Sequence, residues 1–550
     1  MTVGGTLAPG SAARPLGERL AGLRAPDARE RALAALPLAG PCALAALLCA
    51  WELGKRSLWI DEGATVAIVS QHGSALWAAI AHDGGNMLAY YLFMHVVVAL
   101  FGAGTTILRV PSLLATVATV WLVGLLAREL FDRRVALAAS LLAAVSLPLV
   151  FWGQDARGYA PLITFLTASF YFFARVVQRP APPPRRLLLG YGVCTVLAAY
   201  MQLVAALVVP AQLLVLLIRR EHARAVLRTL ALAAVACLPL MVLATVRGAG
   251  QLFWVPGPSI VDVGQTARWL TSSGMPPNFH ARTSANALLA ATLVLLLAPA
   301  LLLVRRLRVG WGELAAQAPG AWRRGDVLAL ALALGWIAMP LLLSVLESLT
   351  GQPILLYRNS VVALPPVAIL IAWSLLRTRL PPVAGWAAVI TILGLRAVQV
   401  LPAYGLSPEN WKAAEAYVLA RAKPGDCIAF YPLDGRMPFD YYVRARGQEL
   451  AAPLPVDPAT PWSRVKPFVE RYTAPARPAL RRIERSCPRL WFIASHQGQL
   501  HGTPGSLTNY IRYRILQDEL QSAYPHARTS RFGWAAVVYV ELLSRPGSTH

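Results

Sequence analysis

Long apolar runs separated by short basic clusters set the plan of this chain. A membrane-crossing helix takes about 20 apolar residues, and runs of that kind fall near 35–53, 110–128, 134–151, 159–177, 187–201, 203–218, 227–246, 286–304, 326–346, 360–376 and 381–401. The fifth and sixth are crowded into residues 187–218, so they are expected to be short and joined by a tight turn near residues 200–202. One further run, "NMLAYYLFMHVVVALFG" at 86–102, is ambiguous by hydropathy alone.

The basic clusters decide it. Arg133/Arg134, Arg179/Arg185/Arg186, Arg219/Arg220/Arg224, Arg305/Arg306/Arg308 with Arg323/Arg324, and Arg377/Arg379 all fall on the cytoplasmic side when about eleven runs cross and 86–102 does not. The run 86–102 is therefore expected to lie on or dip into the outer leaflet, where Tyr90, Tyr91 and His95 meet headgroups. The same parity puts Asp61 and Glu62, "WGQDARGYA" (152–160), the loop 247–285, Arg358 and everything after residue 402 outside.

Composition agrees with this plan. A chain of 550 residues that is 56% hydrophobic and 14% charged, with a mean hydropathy of +0.52, exceeds what a soluble core can hide. The formal charge of +24 stands mostly in the clusters between runs, which argues against nucleic acid as a partner. Residues 1–34 are rich in Gly, Ala, Pro and Arg and read as a cytoplasmic tail without a cleavable signal. Residues 35–403 form the membrane domain, with a first outer loop at 54–109. From 404 to 550 the pattern turns to a small α/β domain: "PENWKAAEAYVLARA" is a capped amphipathic helix, "DCIAFYP", "RLWFIAS" and "WAAVVYVELL" are strands, and "SLTNYIRYRILQDELQS" is a helix. Cys427 and Cys487 lie in this polar region, where a pair can form, while Cys42, Cys49, Cys194 and Cys237 lie in apolar runs. No zinc-ligand spacing, P-loop or dinucleotide fingerprint occurs.

The placement of polar residues narrows the function. No Asp, Glu, Lys or Arg is read well inside a span, whereas an ion-coupled transporter needs such groups at mid-membrane. Instead Asp61, Glu62, His82, Asp83, Asn86, Arg109, Asp155, Arg157, His280 and Arg358 gather where spans meet the outer surface, which suits a substrate that is half lipid. Each has a plain structural reading. Asp61 and Glu62 can cap the helix that follows, "HDGGN" is by default a turn, Arg109 before Pro111 can open a helix, Asp155 and Arg157 can be a weak surface pair, and Arg358 can snorkel. Asp440, Tyr441, Tyr442, His496 and His501 read as structural or surface residues.

Jointly the motifs are more specific. "W-x-DE" after the first span, "HDGGN...YYL...H...LFG...LRVPSLL", "FWGQDARGYA", "FWVPGPS" from Phe253 and "YRNSVVALPP" (357–366) resemble the GT-C superfamily of membrane glycosyltransferases. The chain is most similar to the bacterial family 39 enzymes related to protein O-mannosyltransferases and to the lipid A aminoarabinose transferase. It departs from them at Met87, Leu88 and Ala89, where relatives usually carry a Pro-Pro pair and a Leu, and at Arg358-Asn359, where they often carry Arg-Tyr.

The resemblance implies an all-α polytopic membrane protein of GT-C type, with outer-leaflet helices and a small extracytoplasmic α/β C-terminal domain, in a bacterial inner membrane. It implies an EC 2.4 enzyme that moves a sugar, with inversion, from a polyprenyl-phosphate carrier to a hydroxyl of an extracytoplasmic lipid, glycan or protein. Asp61 is the expected base, with Glu62 and Asp155 as further catalytic candidates. Arg358, Arg157, Arg109, His82, Asn86, Tyr90 and Tyr91 are the expected substrate-binding set. No cofactor is required by the sequence, no metal ligands are assigned, and a divalent metal is compatible. The alternatives are a lipid-linked-sugar flippase or transporter and a non-enzymatic scaffold.

Overall fold

The computed structural model describes residues 36–248, 255, 258–274, 283–309, 327–377, 380–460, 477–500, 504–534 and 536–546. The expected tail at 1–34, His280, most of "FWVPGPS", His501 and the basic residues at 323, 324 and 379 lie outside the described residues.

In hydrocarbon each backbone N–H and C=O must be satisfied within its own segment, so the apolar runs are helical. Among the described residues six helices are long and apolar enough to cross a membrane: Thr105–Leu130, Tyr159–Val177, Ala285–Arg305, Val327–Thr350, Asn359–Leu376 and Pro382–Ala403. Two more runs are broken. Arg133–Ala144 and Leu147–Gly153 meet at 59°, and Arg220–Ala236 and Leu238–Arg247 at 49°. The second helix of each pair opens on Pro148 or Pro239, which has no N–H to continue the preceding ladder. Leu36–Ala50, Arg185–Met201 and Leu203–Ile218 occupy the remaining three runs and are shorter, the last two separated by extended Gln202.

The run 86–102 forms Leu88–Phe101, whose 14 residues span about 21 Å against a hydrocarbon core of about 30 Å. Tyr90, Tyr91 and Met94 are buried on one face, while Phe93, Val96, Leu100 and Phe101 are exposed on the other. Two expectations are corrected. Tyr90 and Tyr91 are fully buried and His95 Nδ1 lies 2.7 Å from the Val69 carbonyl oxygen, so these side chains pack into the protein instead of meeting headgroups. The second concerns charge inside a span. Arg396 lies inside Pro382–Ala403, fully buried, with Nη1 donating to the Leu142 carbonyl at 2.5 Å. A single basic residue among Leu and Val is easily passed over as interfacial, yet its carbonyl partner comes from a neighbouring helix.

Past residue 403 a five-stranded sheet runs in the order β2-β1-β3-β5-β4, from β1 (Cys427–Tyr431), β2 (Leu454–Asp457), β3 (Arg489–Ala494), β4 (His526–Phe532) and β5 (Val538–Ser544). The first three are parallel and the last two add antiparallel. Central β1 and β3 are almost wholly buried, which is why they read as apolar runs. Cys427 and Cys487 form a disulfide across 60 residues of chain. Helices Trp411–Leu419 and Arg436–Ala445 turn this unit toward the segment 54–109: Tyr442 Oη accepts from Leu58 N at 2.7 Å, and Tyr441 Oη donates to the Ala103 carbonyl at 2.9 Å.

Candidate active site

The helix Ile60–Val69 starts on Trp59, whose backbone is extended and whose side chain makes no cap bond. Its two first-turn acids are neighbours, and neighbouring helical residues diverge by about 100°. They therefore serve different surroundings.

Glu62 turns inward. Arg109 Nε reaches Oε1 at 2.8 Å and Nη2 reaches Oε2 at 2.7 Å, with both side chains 0% exposed. Ala156 N adds a bond to Oε1 at 2.9 Å. Arg109 places its remaining donors on the carbonyls of Leu53, Arg56 and Ser57 at 2.9, 3.0 and 3.3 Å. Burial opposes the charge on Glu62, but the Arg109 guanidinium with its two bonds, helped by Arg56, holds this carboxyl below the usual range. The pair is closed on itself.

Asp61 turns outward. Its Oδ2 accepts from Arg358 Nη1 at 3.0 Å, with the two side chains 26% and 17% exposed. Arg358 stands immediately before the short 3-10 turn Asn359–Ala363 at the head of a nearly fully buried helix, Leu364–Leu376. Here one accessible carboxylate faces one accessible guanidinium.

The segment 152–160 backs this pair. Asp155 is buried, with Oδ1 accepting from Trp59 Nε1 at 2.8 Å and no hydrogen-bond partner for Oδ2 among the described residues. Burial, with the Glu62 charge beside it, pushes the Asp155 carboxyl well above its ordinary value. Arg157 Nη1 reaches the Asp61 carbonyl and Thr65 Oγ1, both at 3.3 Å, and Tyr91 Oη at 3.1 Å. Tyr91 in turn donates to Asp83 Oδ2 at 3.0 Å. Burial, reinforced by the Asp61 charge, pushes Asp83 up to about 6.

"HDGGN" is a turn, as its composition demands: Gly84 and Gly85 have φ of +66° and +68°, a region that favours residues without Cβ. Arg247 Nε bonds the His82 carbonyl at 2.5 Å, Asn86 is half-buried on the turn, and Tyr90 is fully buried beyond it. An aromatic cluster ties the segments together. Trp152 lies 4.1 Å from Tyr159 and 6.2 Å from Trp269, which lies 5.7 Å from Tyr357, the neighbour of Arg358.

Thus Asp61, Glu62, Asp155, Arg358, Arg157, Arg109 and Tyr91 come together, with Asp83 joined through Tyr91. Sequence reasoning missed Thr65 and Arg56. Burial and the Arg109 charge push the Arg56 guanidinium down to about 10, and it lies 4.4 Å over the Phe151 ring. In "GKRSLW" it reads as a snorkelling residue, and only the fold shows it indoors. Among the described residues no three His, Cys, Asp or Glu side chains converge to hold a metal ion.

Comparison with known proteins bears on the fold that carries this site. Residues 83–247 match the family dolichyl-phosphate-mannose-protein mannosyltransferase. No curated protein sequence matches the chain. Among solved structures, ArnT from Cupriavidus metallidurans in the apo state superposes with a TM-score of 0.51 at 15% identity, covering 90% of this chain and 96% of that one. The archaeal oligosaccharyltransferase AglB from Archaeoglobus fulgidus, in complex with an inhibitory peptide and a dolichol-phosphate, gives a TM-score of 0.53 at 11% identity, covering 92% of this chain and 73% of that one. The resemblance to the GT-C superfamily is borne out, and the chain has the fold of these multi-pass membrane proteins.

Proposed function

We propose that this protein is an inverting glycosyltransferase that takes a sugar from a polyprenyl-phosphate carrier and passes it to a hydroxyl of an extracytoplasmic lipid, glycan or protein. The reading places it in a bacterial inner membrane with its site at the outer face. It divides the chain into a tail (1–34), a membrane domain (35–403) and an outer α/β domain (404–550). The disulfide between Cys427 and Cys487 supports the outer placement of that last part, since such bonds persist in oxidising compartments.

The observation that carries the reaction is the accessible Asp61–Arg358 pair at 3.0 Å. An alcohol is a poor nucleophile, and a carboxylate in reach that takes its proton as C1 is attacked contributes about 10²–10⁴ in rate. Asp61 is the accessible acid, and we assign it as base. As the new C1–O bond forms, the bond from C1 to the carrier phosphate breaks and the electron pair leaves with the phosphate. Arg358 meets that charge with a planar, always-charged fork, and until a phosphate competes for it, it neutralises Asp61. Arg157, held by Tyr91 and the Asp61 carbonyl, is the second phosphate candidate.

The same reasoning moves Glu62 and Arg109 out of direct chemistry and into the frame. Both are sealed from solvent with all strong bonds spent on each other and on nearby backbone. Asp155, with its raised affinity for a proton and its bond to Trp59, steadies the segment in front of Glu62 and Asp61. The match to a mannosyltransferase family and the fold shared with AglB, whose structure holds a dolichol-phosphate, support a lipid-phosphate donor.

The test is a transfer assay with purified protein, offering a polyprenyl-phosphate sugar or a nucleotide sugar with an envelope extract as acceptor, and mass spectrometry of the products. Transfer from the lipid-linked donor alone is expected. Transfer from the nucleotide sugar, or movement of the carrier across vesicles without transfer, overturns the reading.

A further inference from the structure

The base-bearing helix has no cap of its own, yet its first amide is not left open. Glu409, which lies 349 residues further along the chain, places Oε2 at 2.9 Å from Ile60 N, the amide next to Asp61. The same oxygen accepts from Trp411 Nε1 at 2.6 Å, and Oε1 lies 3.4 Å from His496 Nε2. The Glu409 side chain is only 1% exposed.

Its backbone is fixed from behind by the sheet. The Pro408 carbonyl accepts from Trp534 N at 3.2 Å and Ala536 N at 3.0 Å, at the β4–β5 turn. Gly533, at φ +107°, lies so close that a Cβ there would meet the Pro408 oxygen at 2.9 Å. His496 stands just past β3, after Ser495, whose N donates to the Tyr431 carbonyl at the end of β1 at 2.8 Å. One turn along, the helix also packs closely on Arg436–Ala445: a Cβ at Gly63 would meet Pro438 Cδ at 2.9 Å. A carboxylate that close-packed strands aim at a helix N-terminus satisfies an orphan donor and meets the positive end of the dipole.

We propose that Glu409 is a positioning residue: from the C-terminal sheet unit it supplies the cap that the Ile60–Val69 helix lacks, and so fixes where Asp61 points. The inference rests on the reading of Asp61 as base. Misplacing a reacting group by about 1 Å costs as much as 10²-fold in rate, so loss of this cap acts chiefly on turnover, while Arg358 keeps its place at the head of the buried helix Leu364–Leu376.

The experiment compares the full chain with E409A, E409D and E409Q in nanodiscs. Gln keeps an oxygen that accepts from both Ile60 N and Trp411 Nε1. Asp is one methylene short. For E409A and E409D, kcat is expected to fall at least ~10-fold with KM for the lipid-linked sugar little changed, while E409Q retains most of the activity. Amide hydrogen exchange over residues 58–64 is expected to quicken in E409A and E409D and to stay slow in E409Q. Unchanged kcat in E409A, a defect confined to KM, or an E409Q variant as slow as E409A overturns the proposal. If the wild type transfers no sugar, the reading of Asp61 fails by itself, and the exchange rates still decide whether Glu409 caps the helix.

Discussion

Arg358 Nη1 and Asp61 Oδ2 meet at 3.0 Å although 297 residues separate them in the chain. The contact joins the N-terminal end of the late apolar helix Asn359–Leu376 to the first turn of the helix Ile60–Val69. It brings together the two half-buried charges that the proposed transfer needs most.

Asp61→Asn is nearly isosteric and leaves the helix fold undisturbed. As a base it is lost, since an amide cannot take the acceptor's proton. Turnover is expected to fall at least ~100-fold with expression and carrier binding retained, measured by steady-state kinetics and a lipid-binding assay. Near wild-type turnover would move the base elsewhere.

Arg358→Lys keeps the charge and loses the planar fork. Its defect is expected to appear partly as weaker binding of the lipid-phosphate carrier, several-fold in Kd, as well as in kcat. Equal carrier affinity in mutant and wild type counts against a phosphate role for this residue.

Glu62→Gln leaves Arg109 buried with its partner's charge gone and one of the two acceptor oxygens replaced by an amide NH2. Breaking a buried pair costs about 3–5 kcal/mol, so the expected outcome is a lower thermal midpoint in detergent rather than a selective loss of kcat. A variant that unfolds as the wild type does but transfers no sugar would return Glu62 to the chemistry.

Asp83 holds its proton up to about pH 6 in the fold, against an ordinary value near ~4. The folded chain therefore binds that proton more tightly than the unfolded chain. The resulting stability is full below the ordinary value and is lost as pH rises through about 6. Asp83→Asn is expected to be nearly neutral at pH ~4 and to exceed wild type in thermal midpoint at pH ~8. The reverse order at the two pH values excludes a raised Asp83.

Orientation is tested by a reporter fused after residue 404. An odd number of crossings with basic clusters inside puts that point outside. A fusion active only in the cytoplasm contradicts it.

Much of this was legible in one sequence, for physical reasons. The eleven apolar runs are helical because lipid allows little else. Asp61, Arg358 and Asp155 stood out because a charge at the edge of an apolar run is costly to keep without a use. The partnerships were not legible. Whether Glu62 faces Arg109 or the solvent depends on how the helices pack, and no local pattern encodes that. Strands β2 and β4 escaped notice because they lie at the sheet edges, where "LPVD" and "HARTSRF" carry little apolar alternation. Tyr441 and Tyr442 read as ordinary structural residues, and so they are, but what they hold is the loop in front of the acids.

The cage around Arg109 also has an order in time. Its acceptors are the carbonyls of Leu53, Arg56 and Ser57 and the carboxylate of Glu62. All of them precede Arg109 in the chain, so a ribosome delivers every acceptor before the guanidinium that needs them. The acceptors of the fully buried charge in Thr105–Leu130, Arg109, are thus already made when that helix is synthesised. A circular permutation that made this helix first would ask the insertion machinery to accept a bare arginine and wait for its partners.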